Sequence, residues 1–265
     1  MASPLRSHLG FLTVIGVGLF SDGYLNITIG LIVPMLGYIY FQDEKNKVPT
    51  VSLDVIKGSL PLGMIVGQLL FGVFGDSLGR YIVYGKELTI TIFGTLMVVL
   101  LPWHGLSHNG VVAWVSVFRV VTGLGTGGDY PMTSALYTEH IGFGSCAKRV
   151  LTIFSCIGLG ATSAGIVFVV LLAAFKDSVI GNIARLEWVW RLLLGIGVIP
   201  AAFTLHARLT LKETKPYQEY VAKETGLTAG SGRGLKDQFR DFRVYFSEWK
   251  HEKVLFRTCA CWFLL

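Results

Sequence analysis

The chain has 265 residues, of which 52% are hydrophobic and only 15% charged, and its formal net charge is +6. Soluble domains usually carry about 25% charged residues, so this composition excludes an ordinary soluble domain. The positive charge does not indicate a nucleic-acid partner, because eleven of the 23 Lys and Arg lie between Arg208 and Arg257 and most others flank apolar segments. Composition therefore predicts an integral membrane protein in a lipid bilayer.

Six apolar segments are long enough to cross a bilayer, which takes about 20 residues. They are predicted to be helices, because backbone groups cannot stay unpaired in lipid and the segments are too long for barrel strands. Their bounds are approximately 9–41, 58–74, 81–101, 111–138, 150–175 and 188–211. The predicted domains are a six-helix bundle over residues 1–211, a polar linker over 212–257 and the start of a seventh helix over 258–265.

The distribution of Lys and Arg predicts the orientation of this multi-pass protein, since cytoplasmic loops carry an excess of both. With the N-terminus inside, the inner loops hold Arg80, Lys86 and Arg149 together with the basic stretch that begins at Arg208. The inverted orientation would place that stretch outside. We therefore expect the N-terminus and the linker between helices 6 and 7 to be cytoplasmic. The expected location is the plasma membrane.

Few ionisable residues lie inside the predicted spans, where they are costly and usually functional. Asp22 lies in the first helix, Arg119 and Asp129 in the fourth, and Arg191 near the start of the sixth. Helix geometry places both aspartates roughly 15–20 Å from the cytoplasmic surface at about 1.5 Å per residue. Burial disfavours the charged form of a carboxyl group, so both can take up protons. This pattern favours a proton-coupled carrier; the alternative is a pair of structural carboxylates bonded to neighbouring helices.

The sequence around Asp22, GLFSDGY over residues 18–24, resembles GTGGDY over residues 125–130 around Asp129. The first and fourth helices occupy matching positions if the bundle consists of two inverted three-helix repeats. In transporters built this way, substrate binds at the interface of the repeats near the midplane. The sequence thus predicts a 3+3 inverted repeat with both aspartates near its interface. The adjacent Tyr130 hydroxyl either donates to an anionic oxygen or packs between helices.

Three segments resemble signatures of the major facilitator superfamily. They are the loop between helices 2 and 3, GVFGDSLGR over 72–80; the helix-4 motif, RVVTGLG over 119–125; and LKETKPY over 211–217 after helix 6. Within that superfamily, GGDYP over 127–131, with YGKEL over 84–88, closely resembles the phosphate:proton symporters. The resemblance implies the six-helix N-terminal half of the fold, ending at the start of helix 7, with the C-terminal six-helix half missing.

The resemblance also implies roles for individual residues. Asp22 and Asp129 match carboxylates on the proton path, and Tyr130 matches a phosphate contact. Proton-coupled symport of inorganic phosphate is therefore the expected function, with phosphate and protons as the partners.

A cytoplasmic gate is the second feature that the resemblance implies. Gly72, Asp76, Gly79 and Arg80 match its loop motif, and Arg119 begins the helix-4 motif. From the residues alone, Asp76 either caps the following helix or pairs with a nearby base, while Gly79 permits a tight turn.

The chain departs from the phosphate symporters at two positions. Leu25 stands where they often carry a second acidic residue, and Ile157 stands where they place a substrate-binding Gln. The sequence from Ser21 to Asn26 instead resembles the fungal glycerophosphodiester branch, in which Asn26 becomes a second candidate substrate contact. The alternative substrate is therefore a glycerophosphodiester or another organophosphate or organic anion.

Two other functional classes remain alternatives. An intramembrane enzyme would need a Ser–His pair, a metal trio or reactive aspartates, and the six His residues lie mostly in loops or at span ends. We therefore expect no enzyme activity. The four Cys form no CxxC pair or metal-ligand spacing, so neither a metal nor a cofactor is expected. A nutrient sensor or partner subunit that binds without transporting is the remaining alternative.

Overall fold

The structure is a computed structural model that describes residues 4–78, 83–102, 105–141, 146–210 and 235–264. Over these ranges the chain forms α-helices, two short 3₁₀ turns and no β-strand. The helices are α1 (Pro4–Tyr40), α2 (Thr50–Leu78), α3 (Lys86–Val99), α4 (His108–Ile141), α5 (Cys146–Gly181), α6 (Leu186–Leu209), α7 (Leu235–Phe246) and α8 (Trp249–Leu264). We call the end of the bundle where α1 begins the near end, and the opposite end the far end.

The all-α membrane fold predicted from the sequence is confirmed. Five described helices are long and apolar enough to cross a membrane, namely Thr13–Tyr40, Thr50–Gly75, His108–Tyr137, Val150–Gly181 and Ile183–Leu209. The third predicted span, 81–101, corresponds to α3, whose 14 residues cover about 21 Å at 1.5 Å per residue. The first residues of that predicted span lie outside the described part of the chain.

Two predicted boundaries are wrong. We expected a helix over 58–74 followed by a loop from Gly72 to Arg80, but α2 begins at Thr50 and ends at Leu78. Similarly, α8 begins at Trp249 rather than at Thr258. Hydropathy marks only the part of a helix that lies in hydrocarbon, whereas each residue added to an existing helix gains a further backbone hydrogen bond. The helices therefore continue into polar sequence.

The contacts that the first three helices make have counterparts among the next three, with α1, α2 and α3 corresponding to α4, α5 and α6. α1 packs along α5 as α4 packs along α2, and α1 contacts α6 as α4 contacts α3. α3 and α6 also contact each other, as do α1 and α4. At the α1–α5 contact, a Cβ on Gly23 would lie 2.1 Å from the Ile157 carbonyl oxygen, so the two backbones nearly touch. This pattern is that of the predicted 3+3 inverted repeat.

Glycines bring α2 and α4 into the same close contact. A Cβ on Gly63 would lie 2.2 Å from the Val120 carbonyl oxygen, and one on Gly123 would lie 2.3 Å from that of Leu60. Small residues at helix interfaces let backbones approach closely in membrane bundles. The glycine run of α4 therefore fixes this helix against α2 while its other face turns toward α1, α3 and α6.

Two apolar clusters fill the bundle, one toward each end. The far cluster contains Tyr24 and Val115, and the near cluster contains Leu19 and Met132. On α1 the change from one cluster to the other falls between residues 19 and 24, and on α4 it falls between residues 115 and 132. Both candidate aspartates lie in these intervals. The fold therefore holds both aspartates between two apolar layers.

The two helices after the bundle cover part of the predicted linker. α7 is amphipathic and makes a small contact with α2. Residues 211–234 lie outside the described part of the chain.

Candidate functional site

A bidentate ion pair between Asp129 and Arg208 forms the centre of the candidate site. Arg208 Nη1 lies 2.8 Å from Asp129 Oδ1, and Nη2 lies 3.0 Å from Oδ2. Thr133, one turn further along α4, donates its hydroxyl to Asp129 Oδ1 at 2.7 Å. Each of the two charged residues is 1% exposed. Such a fork-on-carboxylate geometry fixes both partners and is stronger than a single neutral hydrogen bond.

Glu87 provides a second carboxylate to the same guanidinium. Its Oε1 accepts the Gly85 backbone N–H at 2.7 Å and lies 3.4 Å from Arg208 Nη1. The turn before α3 requires Gly85, because its φ of +96° is in the left-handed region. Glu87 thus lies at the N-terminus of α3 and Arg208 in the last turn of α6. Each charge is favoured there by its own helix dipole.

The guanidinium of Arg208 occupies a closely fitting space. Its Cζ lies 4.7 Å from the centroid of the Tyr84 ring, a cation–π contact. On the other side it is next to Gly18 of α1, where an added Cβ would lie 1.5 Å from Nη2 and 3.1 Å from Asp129 Oδ2. Only glycine at position 18 leaves room for the ion pair as it stands.

Asp22 lies beside this pair and is 1% exposed. The groups that act on its carboxyl most directly are Asp129, Arg208 and Thr126. Within hydrogen-bond limits, neither Asp22 oxygen has a partner among the described residues, and neither has the Thr126 hydroxyl. A buried carboxyl without partners is costly. The structure therefore brings the two predicted aspartates together and leaves one with unused acceptor capacity.

The two predicted substrate contacts differ in their surroundings. Tyr130 follows Asp129 on α4 and is partly buried, with its ring stacked on Phe154 of α5 at 6.0 Å between centroids. Asn26 lies one turn beyond Asp22 on α1 and is exposed. Tyr130 is therefore next to the buried cluster, whereas Asn26 lies on the surface of the six-helix bundle.

The predicted gate residues are described only in part. Gly72 is inside α2, and an added Cβ there would have no neighbour within 4 Å. The backbone of Asp76 also belongs to α2, but its side chain, like Gly79 and Arg80 as a whole, lies outside the described residues. Arg119 is buried on α4 with its Nε and Nη2 lacking partners among the described residues.

A second ionic cluster closes the far end of the bundle. Arg191 of α6 donates to the carbonyls of Val99 and Leu101 at the end of α3, and to Glu187 at 2.5 Å. Tyr40, the last residue of α1, donates to Glu187 at 3.0 Å. These bonds join the ends of α1, α3 and α6, so the cluster fixes helix ends.

The sequence pattern that defines sugar (and other) transporters matches residues 11–256. The chain belongs to this transporter family. In fold, this family member is the N-terminal six-helix half of the major facilitator superfamily. It superimposes on the proton:xylose symporter XylE of that superfamily with a TM-score of 0.69 and 18% identity, over 83% of this chain and 48% of XylE. It is thus an integral membrane protein.

Two relatives are named as phosphate carriers. A Schizosaccharomyces pombe protein that is named as an inorganic phosphate transporter is 31% identical over 94% of this chain and 54% of its own length. The repressible high-affinity phosphate permease of Neurospora crassa is 34% identical over 82% of this chain and 39% of its own length. The family member described here therefore spans about half the length of the curated relatives it matches.

Sequence reasoning missed Glu87, Arg208 and Tyr84 as members of the site. The charge distribution explains Arg208 as the start of the cytoplasmic basic stretch, and the sequence motif explains Glu87 only as part of a family signature. The signal for both lies in their position in the sequence, since Arg208 lies at the end of an apolar run and Glu87 precedes one. Among the described residues, no group of three or more His, Cys, Asp or Glu is placed to hold a metal ion.

Proposed function

We propose that this chain forms the N-terminal half of a proton-coupled phosphate symporter in which Asp129 carries the proton. The observation that supports this most is the buried cluster of Asp22, Asp129 and Glu87 around the single guanidinium of Arg208. If all three carboxyls were ionised, the cluster would hold a net charge of −2. Burying unbalanced charge is costly, and proton uptake removes that cost.

The same charge balance supports coupling to an anion. Phosphate approaching a pocket with surplus negative charge is repelled, whereas a pocket whose carboxyls are protonated is neutral or positive. Proton uptake therefore precedes or accompanies phosphate binding. Tyr130, beside Asp129, supplies a hydroxyl that can donate to a phosphate oxygen. The names of the relatives support phosphate as the anion.

The complete carrier in this proposal contains a C-terminal six-helix half, joined through residues 212–257 to the bundle of residues 1–211. Asn26 is exposed on the bundle, and in the proposal it faces the substrate between the halves. Gly72, Asp76, Gly79 and Arg80 form the cytoplasmic gate with that second half, and Arg119 belongs to the helix-4 motif. The carrier lies in the plasma membrane with its N-terminus and linker in the cytoplasm, so the near end of the bundle faces the cytosol.

The test is labelled phosphate uptake into proteoliposomes that contain the full-length carrier, with and without an inward proton gradient. Asp129→Asn should abolish the gradient-driven component, because the amide cannot carry a proton. Asp54→Asn is the matched control, since Asp54 is an exposed carboxylate at the start of α2. Gradient-driven uptake at the wild-type rate by Asp129→Asn would exclude the proton-carrier role.

The same vesicles separate the alternative substrates. Unlabelled phosphate should compete for uptake more strongly than glycerophosphocholine if inorganic phosphate is the substrate, and the reverse order would support the phosphodiester branch. Phosphate binding without any uptake would instead support a sensor.

A further inference from the structure

Arg208 is shared unequally by two carboxylates. Its Nη1 lies 2.8 Å from Asp129 Oδ1 but 3.4 Å from Glu87 Oε1. The other Glu87 oxygen, Oε2, is buried and has no hydrogen-bond partner among the described residues. Glu87 therefore retains acceptor capacity at Oε2 in addition to the longer contact that its Oε1 makes with the guanidinium. A small displacement of the guanidinium toward Glu87 would therefore exchange the shorter contact for the longer one.

The surroundings leave few other charges that could replace Arg208. The titratable side chain facing it from α1 is Asp22, the ring of Tyr84 covers it, and Tyr130 follows Asp129 on α4. From the described parts of the remaining neighbours, α2 brings the uncharged Phe71 ring against Gly128, and α5 brings the Cys156 thiol against Gly16. Within this group Arg208 is the cation that balances the carboxylates.

We propose that Arg208 moves between Asp129 and Glu87 as Asp129 gains and loses its proton. Protonation of Asp129 converts its carboxylate to a neutral acid and breaks the ionic bond, and the guanidinium then pairs with the ionised Glu87. Loss of the proton restores the pair with Asp129. Arg208 is thus a positioning residue that favours proton release from Asp129, and this step rests on the proposed proton-carrier role.

Infrared titration of this chain in lipid nanodiscs tests the proposal without requiring transport. The carboxylic-acid band of Asp129 is identified by its loss in Asp129→Asn, and the pH at which it is half lost is measured. Arg208→Gln should raise that pH by at least about one unit, which corresponds to a tenfold higher proton affinity. An unchanged midpoint would overturn the proposal.

The movement itself has a separate signature. The carboxylate band of Glu87, identified with Glu87→Gln, should shift over the pH range in which Asp129 titrates, because its cation arrives there. In Arg208→Gln this shift should disappear. A Glu87 band that is constant across the range in the unsubstituted chain would show a fixed ion pair and overturn the alternation.

A steric variant covers the case in which Arg208→Gln does not fold. Gly18→Ala keeps every charge but places a methyl group where the guanidinium lies, so the Asp129 midpoint should rise as in Arg208→Gln. Gly195→Ala on α6 is the matched control, because an added Cβ there has no neighbour within 4 Å. Equal midpoints for Gly18→Ala and Gly195→Ala would overturn the proposal.

Transport data distinguish failure of this inference from failure of the proposed function. In the full-length carrier, Gly18→Ala should reduce net phosphate uptake at least about tenfold, since each cycle must release a proton. Phosphate–phosphate exchange should be retained, because exchange requires no proton release. Normal net uptake by Gly18→Ala overturns only the inference, whereas gradient-independent uptake by the unsubstituted carrier overturns the proposed function.

Discussion

Replacing both members of the Asp129–Arg208 pair should cost far less than the sum of the single replacements. Both side chains are almost fully buried, and two bonds of 2.8 and 3.0 Å join them. Removing one partner of a buried ion pair usually costs about 3–5 kcal/mol, because the other charge remains without balance. We expect Arg208→Gln to fall at the upper end, since it leaves both Asp129 and Glu87 without a cation.

Asp129→Asn should fall at the lower end of that range, at about 3 kcal/mol, because Arg208 keeps Glu87 as a partner at 3.4 Å. The double variant removes opposite charges together and retains polar groups that can hydrogen-bond. We therefore expect an interaction free energy of about 2–3 kcal/mol between the two sites, which is the upper part of the range found for residues in contact.

The assay is reversible unfolding of the chain by SDS in mixed micelles, followed by far-ultraviolet circular dichroism. Asp177→Asn, at an exposed carboxylate near the end of α5, serves as the control and should change the free energy of unfolding by less than about 0.5 kcal/mol. If the costs of the two single variants add up to the cost of the double variant within about 0.5 kcal/mol, the residues do not form the ion pair described above.

Three further variants probe the packing and the far end. Gly123→Ala should destabilise the bundle by about 1–3 kcal/mol through overpacking against the Leu60 carbonyl. Gly58→Ala is the control and should not destabilise it, because an added Cβ there meets open space. Thermal unfolding in detergent compares the two variants. Arg191→Gln should cost about 3 kcal/mol, and its effect should add to that of Arg208→Gln because about 25 Å of helix separates the two. Tyr40→Phe should cost about 1.5–3 kcal/mol, the range for a hydrogen bond to a charged group.

The helices and the inverted repeat could be predicted from the sequence because their signals are local. The length of an apolar segment identifies a span. The similar sequences around Asp22 and Asp129 indicate that the first and fourth helices occupy equivalent positions in two repeats. The structure confirms their proximity. The bounds of α2 and the start of α8 could not be predicted, because a helix continues past the point where hydropathy falls.

The partner of Asp129 was not predicted because it depends on how helix ends align. Arg208 lies 79 residues from Asp129 in sequence, in the last turn of a helix whose neighbours in sequence are polar. A basic residue there is normally explained by topology alone. Only the antiparallel packing of α3 and α6, which places the start of one beside the end of the other, brings Glu87 and Arg208 to Asp129.

The most direct test of the account is proton movement driven by phosphate alone. Vesicles containing the full-length carrier and an internal pH indicator receive external phosphate, with no imposed proton gradient. The account predicts acidification of the interior that requires phosphate and is absent in Asp129→Asn. Phosphate accumulation without any acidification would contradict it.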